Sequence, residues 1–559
     1  MKNIFKFALL GLALLMVVSA CENTELEELL DNPNSVTPEN AELDLVFNNV
    51  MLQFENFIDE SSDESMPYVR MMAMSAGAQY DNQDNPVSFD FLWEVAYARI
   101  IPDADLVLSL AEPRGATAHA GIAKIVKAYV FMTLVDLFGD VPFTEANKGV
   151  EFQNPLADDD EAIYLAALGL LEEGIADLEK GSDAYPDNDL FYGKTSTPAA
   201  NWIKAANSLI LRAHVITKQA IGSATVINGI LASGNYIQDM SEDMQFNYGA
   251  NRLNPDSRHP YYEDAYDNDG PGVYINNQYL WFFFGEKDVE DPRIRYYFYR
   301  QDCDETDEDQ FTLDCVASPY PLHWPQGLPF CTASLDFGDP QQEYGGYWGR
   351  DHGNDDGIPP DDFKRAVYGV YPAGGKFDND DCSAVNTSMG TAGAGGVGLA
   401  PVILSSYVQF YLAEAALTMG VDGDPLAYLL EGVRQSIDKA IAVGAADNPG
   451  DLAPSQEQID DYIAEVESLY MAAGSDEERL DVIMKEFLLG LWGQGVDAFN
   501  NYRRTALPSG LQPTRSATPG NFPRVMYYPS DYVNLNINAQ QHAITEQVFW
   551  DKLPAGAIQ

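Results

Sequence analysis

The middle third of the chain carries aromatic side chains beside charged groups, in segments rich in glycine, proline and aspartate. Ring faces of this kind cover the apolar C–H faces of sugars, while carboxylates and guanidinium groups bind the hydroxyls. The residues that combine these groups are Trp324, Tyr347, Trp348, Arg350, Asp351 and His352. The pattern is typical of a surface that binds glycans. We expect one or two of these clusters to contact a ligand, because most loop aromatics pack in the interior.

A further aromatic run in this region predicts a structural role. Tyr279–Phe284 is typical of a short β-type segment between turn signals. Trp281 precedes three phenylalanines, so we expect its side chain in the core.

Two acidic clusters offer the hard oxygen ligands that calcium requires. One lies between Asp302 and Asp309, and the other contains Asp351, Asn354 and Asp355. Neither fits the D-x-[DN]-x-[DN]-G loop, and a chain with 86 acidic residues produces such runs by chance. A solvated surface is therefore favoured. We expect no cofactor and no metal, with calcium as the alternative.

Enzyme signatures are absent from the sequence. It contains no G-x-S-x-G, no H-E-x-x-H and no phosphate-binding loop. Pairs of carboxylates are too abundant to indicate glycoside hydrolysis. The sequence therefore predicts a binding protein, with a secreted glycosidase or peptidase and a protein-binding scaffold as the alternatives.

The charge balance limits the partners. The chain has 32 lysines and arginines against 86 acidic residues, a formal net charge of −54. Such a surface repels nucleic acids and anionic lipid headgroups and favours neutral or cationic ligands. No nucleic-acid partner is expected.

The N-terminus has the pattern of an export signal. Lys2 and Lys6 precede an apolar run over residues 7–18, and two small residues then lead into Cys21. The end of this segment resembles the lipobox of bacterial lipoproteins, in which the cysteine is acylated and becomes the first mature residue. Residues 1–20 are thus predicted to be a signal peptide and Cys21 a lipid anchor in a membrane. An ordinary signal peptide that stops near a cysteine is the alternative.

The other four cysteines lie within one short window, and export favours disulfides. They are Cys303, Cys315, Cys331 and Cys382. Three connectivities are open, and proximity along the chain favours Cys303–Cys315 with Cys331–Cys382. A zinc site is disfavoured because no C-x-x-C motif is present.

Hydrophobic periodicity divides the mature chain. An acidic tether at 21–38 precedes helical patterns over 39–235, a loop-rich insertion at 236–400, and a helical C-terminal part with an irregular tail at 401–559. One predicted helix carries its apolar face from Ile122 to Leu137, another follows Asp158–Asp160, and a third begins at Pro198. The fold class predicted is mainly α, with helix pairs in an α–α superhelix that support a loop-built face. We expect 39–559 to form one compact unit.

Several short segments, spread in order along nearly the whole chain, resemble the SusD/RagB family. They are Ala123–Tyr129, Phe138–Phe143, Trp202–Leu209, Asp291–Arg293, Gly349–Gly353, Gly357–Asp361, Gly369–Pro372, Leu412–Ala415, Tyr502–Thr505 and Pro523–Pro529. Among them, the arginine pair Arg503 and Arg504 suits internal ion pairing rather than ligand binding.

This resemblance implies a fold and a function. Such proteins have four tetratricopeptide-like helix pairs that support an irregular ligand-binding region. They lie on the outer face of the outer membrane in Bacteroidota, where they cap a TonB-dependent transporter of the SusC type and capture oligosaccharides or, in some members, peptides. The acidic residues after Cys21 are similar in composition to surface-export signals in that phylum.

The resemblance also points to the loop Tyr80–Asn85, because ligand residues of the family are often contributed near this position. Tyr80 and Gln83 are the candidates there, and a solvated acidic loop is the alternative. Trp93 and Tyr97 lie four apart on the helix that follows, so we expect both in the core.

Replacement of Cys21 tests the anchor. Cys21→Ala removes the thiol that would carry lipid, so the protein should move from the membrane fraction to the soluble fraction, and globomycin should block its processing. An unchanged fractionation of Cys21→Ala, or processing that is insensitive to globomycin, would contradict the lipid anchor.

Overall fold

A computed structural model describes residues 41–74, 79–182, 185–267, 274–301, 347, 349–354, 365–385 and 390–559. The predicted signal peptide and tether lie outside these residues. Helices dominate the described chain, which confirms the predicted mainly α class. No described helix is long and apolar enough to cross a membrane.

The α-helices are numbered in chain order. They are α1 (Leu43–Ser65), α2 (Tyr80–Gln83), α3 (Asp90–Glu94), α4 (Ile101–Ala111), α5 (Thr117–Phe138), α6 (Asp160–Glu179), α7 (Pro198–Ile216), α8 (Ala224–Ser233), α9 (Pro260–Tyr266), α10 (Asn277–Phe284), α11 (Ile294–Tyr297), α12 (Ser405–Thr418), α13 (Pro425–Gly444), α14 (Gln456–Ala472), α15 (Asp476–Gly490), α16 (Gly495–Thr505) and α17 (Ser530–Leu535). A π-helical segment, Val95–Ile100, joins α3 to α4.

Four short strands form two antiparallel pairs in the described chain. They are β1 (Met244–Asn247), β2 (Phe298–Tyr299), β3 (Val367–Tyr368) and β4 (Leu399–Ile403). In the first pair Met244 of β1 lies opposite Ile403 of β4, and in the second Phe298 of β2 lies opposite Tyr368 of β3. Both pairs join segments that are far apart in sequence, within the loop-rich middle region or at its end.

Local sequence signals set the ends of the long helices. At the start of α6, the Asp159 side chain accepts a hydrogen bond from the backbone N–H of Ala162 at 3.0 Å. Helix α7 begins at Pro198, and α5 ends before Gly139, whose φ of 72° few other residues adopt. The three helices predicted in this part of the chain are confirmed.

The helices pack in sequence-adjacent pairs around one hydrophobic core. Helices α5 and α6 approach closely where Gly121 meets Gly174. A Cβ atom on Gly121 would lie 2.8 Å from the carbonyl oxygen of Gly174, so the contact requires residues without side chains. Helices α12 and α13 form a second such pair in the C-terminal part.

The β-type prediction for Tyr279–Phe284 is wrong, because this segment forms α10. The Asn276 side chain caps the helix by accepting from the N–H groups of Gln278 and Tyr279 at 2.8 and 3.3 Å. Aromatic residues lie all around α10, and nearly all of them are buried. The sequence therefore lacks the alternation of apolar and polar residues every 3.6 positions that marks a helix with one exposed face. Trp281 is half-buried and packs against the core at the edge of the helix.

A buried ionic network joins the N-terminal and C-terminal helices. Arg212 on α7 donates to Asp497 on α16 at 2.8 Å, and it also pairs with Asp136 on α5 at 3.3 Å. Arg503 on α16 donates to the backbone carbonyl of Asp136 at 2.5 Å. All four side chains are buried. Arg503 is internal as predicted, but within the described chain it donates to the backbone carbonyls of Asp136 and Arg524 and to the side chain of Asn500 rather than forming an ion pair.

Arg504 belongs to a second buried ionic group. Its guanidinium spans both carboxylate oxygens of Glu414 on α12, and the Lys218 ammonium lies 2.8 Å from the same carboxylate. Burial alone would raise the pKa of Glu414, but Arg504 and Lys218 outweigh it and lower that pKa to about 2. Glu414 therefore stays charged in the interior.

Replacement of Glu414 tests this group. Glu414→Gln leaves the buried Arg504 without a counter-charge, so the free energy of unfolding in urea should fall by about 3 kcal/mol at neutral pH. Because the folded pKa of Glu414 is lowered from 4.5 to about 2, its contribution is present above pH 4.5 and is lost as the pH falls toward 2. The difference between the two proteins should shrink over that range.

The control for this comparison is Arg479→Gln, which removes an exposed ion pair with Asp476. It should change the free energy of unfolding by less than about 1 kcal/mol. Equal losses in the two variants would contradict the role of Glu414.

Candidate ligand-binding site

Part of the predicted site lies outside the described residues. This applies to Trp324, Trp348 and Asp355, and to Cys303, Cys315 and Cys331. Cys382 is disulfide-bonded, and every cysteine that could be its partner lies outside the described chain. The pairing of Cys382 with Cys331 stays a prediction.

The structure brings two of the predicted surfaces together at Tyr80 and His352. The Tyr80 hydroxyl lies 3.0 Å from Nε2 of His352 and accepts from Nη2 of Arg70 at 3.1 Å. The ring of Phe522 packs edge-on against Tyr80, with 5.1 Å between ring centroids. Burial, together with the nearby Arg70 charge, lowers the pKa of His352 well below its usual range. His352 is therefore a neutral, buried hydrogen-bonding group.

The neighbouring candidates are also buried. Asp351 accepts from Nδ2 of Asn277 at 3.0 Å and pairs with Arg515 at 3.2 Å. The Arg350 guanidinium lies 4.5 Å from the ring centroid of Tyr274. Both side chains are thus engaged in contacts inside the protein.

Two candidates remain, and they differ in exposure. Tyr347 is 4% exposed, and the Arg300 guanidinium covers its ring at 4.6 Å. Gln83 is half-buried at the end of α2, next to the surface. Ligand contact stays a prediction for the whole set, and the geometry favours Gln83 over the buried members.

The described residues include no group of three acidic, histidine or cysteine side chains placed to hold a metal ion. Of the calcium candidates, Asp351 already binds Asn277 and Arg515, and Asn354 offers a backbone carbonyl that accepts from Arg350 at 3.3 Å. Calcium at this position stays a prediction.

A surface cavity of about 430 Å³ lies elsewhere, between α3, the segment 142–155 and α17. We call it the aromatic groove. Four rings line it, from Trp93, Tyr97, Phe152 and Tyr532. The Trp93 ring lies between the other two central rings, with centroids 4.9 Å from Tyr97 and 4.9 Å from Tyr532. The predicted burial of Trp93 is confirmed at 8% exposure, whereas Tyr97 is only half-buried.

Amide side chains accompany the rings. Asn147, Gln153 and Asn536 all line the aromatic groove. Asn147 donates to the carbonyl of Tyr97 at 3.1 Å, and Asn536 donates to the carbonyl of Pro155 at 2.8 Å. These bonds fix Asn147 and Asn536 beside the rings. The Asn536 side-chain oxygen also accepts from the backbone N–H of Asn538 at 2.9 Å, whereas the Asn147 oxygen accepts no hydrogen bond from the described residues.

Hydrogen bonds from the C-terminal tail position one wall of the groove. The Ser530 hydroxyl donates to Oδ2 of Asp90 at 2.6 Å, and the backbone N–H of Asp531 donates to Oδ1 at 2.9 Å. Asp90 thus docks the start of α17 beside α3. No sequence motif marked this groove, because its walls are separated by more than 400 residues in the chain.

Aromatic lining sets this groove apart. Three other cavities in the described part have volumes of about 350, 400 and 550 Å³, and charged and aliphatic side chains line all three. Compared with these three cavities, the aromatic groove is the one whose lining suits a sugar ring.

The family comparison agrees with the fold. Residues 33–316, just over half of the chain, match the SusD-like family described as "Starch-binding associating with outer membrane". The chain belongs to the SusD-like family. The resemblance found in the sequence is therefore confirmed.

Solved structures share the fold of this SusD-like protein. A chitin-binding protein is 20% identical, with 91% of this chain and 99% of that one covered and a TM-score of 0.63. A SusD homologue from Bacteroides fragilis is 19% identical, with 92% of this chain and 99% of that one covered and a TM-score of 0.64. A SusD/RagB family protein from Bacteroides thetaiotaomicron is 15% identical, with 92% of this chain and 99% of that one covered and a TM-score of 0.64. Identities this low establish a shared fold alone. No curated protein matches the chain.

A substitution at Tyr80 separates packing from ligand contact. Tyr80→Phe keeps the ring but leaves buried polar atoms of His352 and Arg70 without this partner, so the free energy of unfolding should fall by about 1–3 kcal/mol. Chemical denaturation measures this loss. If Tyr80→Phe instead weakens ligand binding with no loss of stability, Tyr80 is a ligand residue and the packing role is wrong.

Proposed function

We propose that this SusD-like protein is a lipid-anchored, non-catalytic binding protein on the cell exterior. It captures oligosaccharides and delivers them to a TonB-dependent transporter of the SusC type in the outer membrane. Family membership supports the general role of a nutrient-binding outer membrane protein. The observation that carries oligosaccharide binding is the aromatic groove, which combines ring faces with amide groups.

The chemistry of the groove suits a neutral sugar. Tyr97, Phe152 and Tyr532 present partly exposed rings that can cover the apolar faces of a pyranose. Asn147 and Gln153 offer donors and acceptors for hydroxyl groups. The charged side chains that line the groove are Lys148 and Asp531, so its described lining has one carboxyl group.

That count also supports a binding role over catalysis. Glycoside hydrolysis generally uses two carboxyl groups, one on each side of the scissile bond. With Asp531 alone, the described lining of the groove lacks that pair. A bound oligosaccharide would therefore leave the groove intact, as delivery to a transporter requires.

Ligand binding at the groove is tested by calorimetry with neutral oligosaccharides, including N-acetylglucosamine and glucose oligomers. Phe152→Ala and Tyr532→Ala each remove a ring face, so each should weaken the binding of the best ligand at least tenfold. Phe91→Ala serves as the matched control, because this ring is 42% exposed and does not line the groove. Reducing ends should not increase during incubation.

Three outcomes would contradict the proposal. Unchanged affinity in both groove variants would place the site elsewhere. New reducing ends would indicate an enzyme. Binding of peptide mixtures, without binding of any oligosaccharide, would indicate a peptide-binding importer component.

A further inference from the structure

Four aliphatic side chains lie exposed at the edge of the aromatic groove. We call them the apolar collar, and they are Val150, Leu156, Leu535 and Ile537. Leu535 lines the groove itself, and each of the other three directly follows a residue that lines it. The apolar collar therefore borders the groove on two sides, from the segment 150–156 and from the end of α17.

The exposure of these side chains is unusual for this protein. Ile537 is 85% exposed, Val150 82% and Leu535 76%, and they are three of the four most exposed large apolar side chains in the described chain. Single apolar residues scattered over a surface are normal, whereas a cluster of them marks a place where another molecule binds. The collar is thus a candidate contact surface.

Hydrogen bonds hold the two segments of the collar together. The backbone N–H of Ile537 donates to Oδ1 of Asn154 at 2.9 Å, and Nδ2 of Asn538 donates to the backbone carbonyl of Asn154 at 2.6 Å. The backbone N–H of Leu156 donates to the Glu145 carboxylate at 2.9 Å. These bonds fix the backbone from which the apolar side chains project.

The collar does not suit the sugar itself. Aliphatic side chains have no ring face to lie against a pyranose and no group that bonds its hydroxyls. In the groove, by contrast, Tyr97, Phe152 and Tyr532 supply rings and Asn147 supplies an amide. The collar therefore requires a partner with an apolar surface of its own.

The charge around the collar disfavours two kinds of partner. Residues 145–161 include six acidic residues and one lysine, and residues 525–551 include three acidic residues and no lysine or arginine. Such a surface repels anionic lipid headgroups, and it also repels the same face of a second copy of the chain. The complementary partner is a different protein, whose apolar contact area has lysines and arginines around it.

We propose that the apolar collar is the surface that docks on the TonB-dependent transporter. This inference rests on the proposed function, which requires the sugar to pass from the groove into the barrel. Contact at the collar brings the transporter to the edge of the groove, so the sugar can cross without release into bulk water. The opposing surface of the transporter should be apolar at its centre, with a rim of lysines and arginines.

The test measures how much transporter copurifies with the full-length protein from detergent-solubilised outer membranes. Val150→Lys/Ile537→Lys places two cations in an apolar contact and opposite a basic rim. The amount of copurified transporter, identified and quantified by mass spectrometry, should therefore fall about tenfold or more. With the parent protein, added salt should also lower this amount, because the rim contacts are electrostatic.

Leu253→Lys/Met471→Lys is the matched control, because these side chains are 77% and 66% exposed and lie outside the collar. It should leave the amount of transporter unchanged. Val150 and Ile537 do not line the groove, so calorimetry on the purified collar variant should give the parental affinity for neutral oligosaccharides. Its melting temperature should match that of the parent protein, since both positions are exposed.

Each other outcome overturns the inference in a distinct way. Equal amounts of transporter with the parent protein and the collar variant would place the docking surface elsewhere and leave the proposed function standing. Loss of oligosaccharide binding in the collar variant would make the collar part of the ligand site. Copurification that does not fall with added salt would contradict the basic rim.

Two further measurements separate the other occupants. Self-association of the parent protein that the collar variant lacks would assign the collar to a second copy of the chain. Binding to phospholipid vesicles that the collar variant lacks would assign it to a membrane surface. Absence of any TonB-dependent transporter from the parent preparation at low salt would count against the proposed function itself.

Discussion

The structure depends on how a chain with 32 cationic and 86 acidic residues uses its scarce positive charges. Several arginines are buried at points where distant helices meet. Arg212 joins α7 to Asp497 of α16, and Asp136 of α5 accepts further hydrogen bonds from Asn500 and from the indole of Trp550. A buried charge is stable only when it is paired and hydrogen-bonded. These requirements fix the N-terminal helices against the C-terminal ones.

The same scarcity affects the rest of the molecule. Buried arginines such as Arg212, Arg293 and Arg504 pair with buried carboxylates, which leaves few cations for the surface. The aromatic groove differs from both the interior network and the acidic surface, since rings and amides dominate its lining.

Much of the fold could be predicted from sequence, because the long helices carry strong local signals. Asp159 and Pro198 mark helix starts, and apolar periodicity marks the buried faces. Helix α10 could not be predicted, since aromatic side chains on every face hide its period. The candidate binding site was harder to predict than the helices. Tyr80 and His352 were predicted on two separate candidate surfaces, but their side chains meet in the interior. The aromatic groove depends on contacts between residues 90 and 530, which no local pattern records.

Because α17 docks on Asp90, the aromatic groove can form only late in synthesis of the chain. A chain is synthesised from its N-terminus, and its early helices can pack before the last residues emerge. One wall of the aromatic groove comes from Tyr532, near the C-terminus, so that wall is missing until almost the whole chain is available. A polypeptide that ends before Tyr532 would therefore lack one wall of the aromatic groove even where its earlier helices are folded.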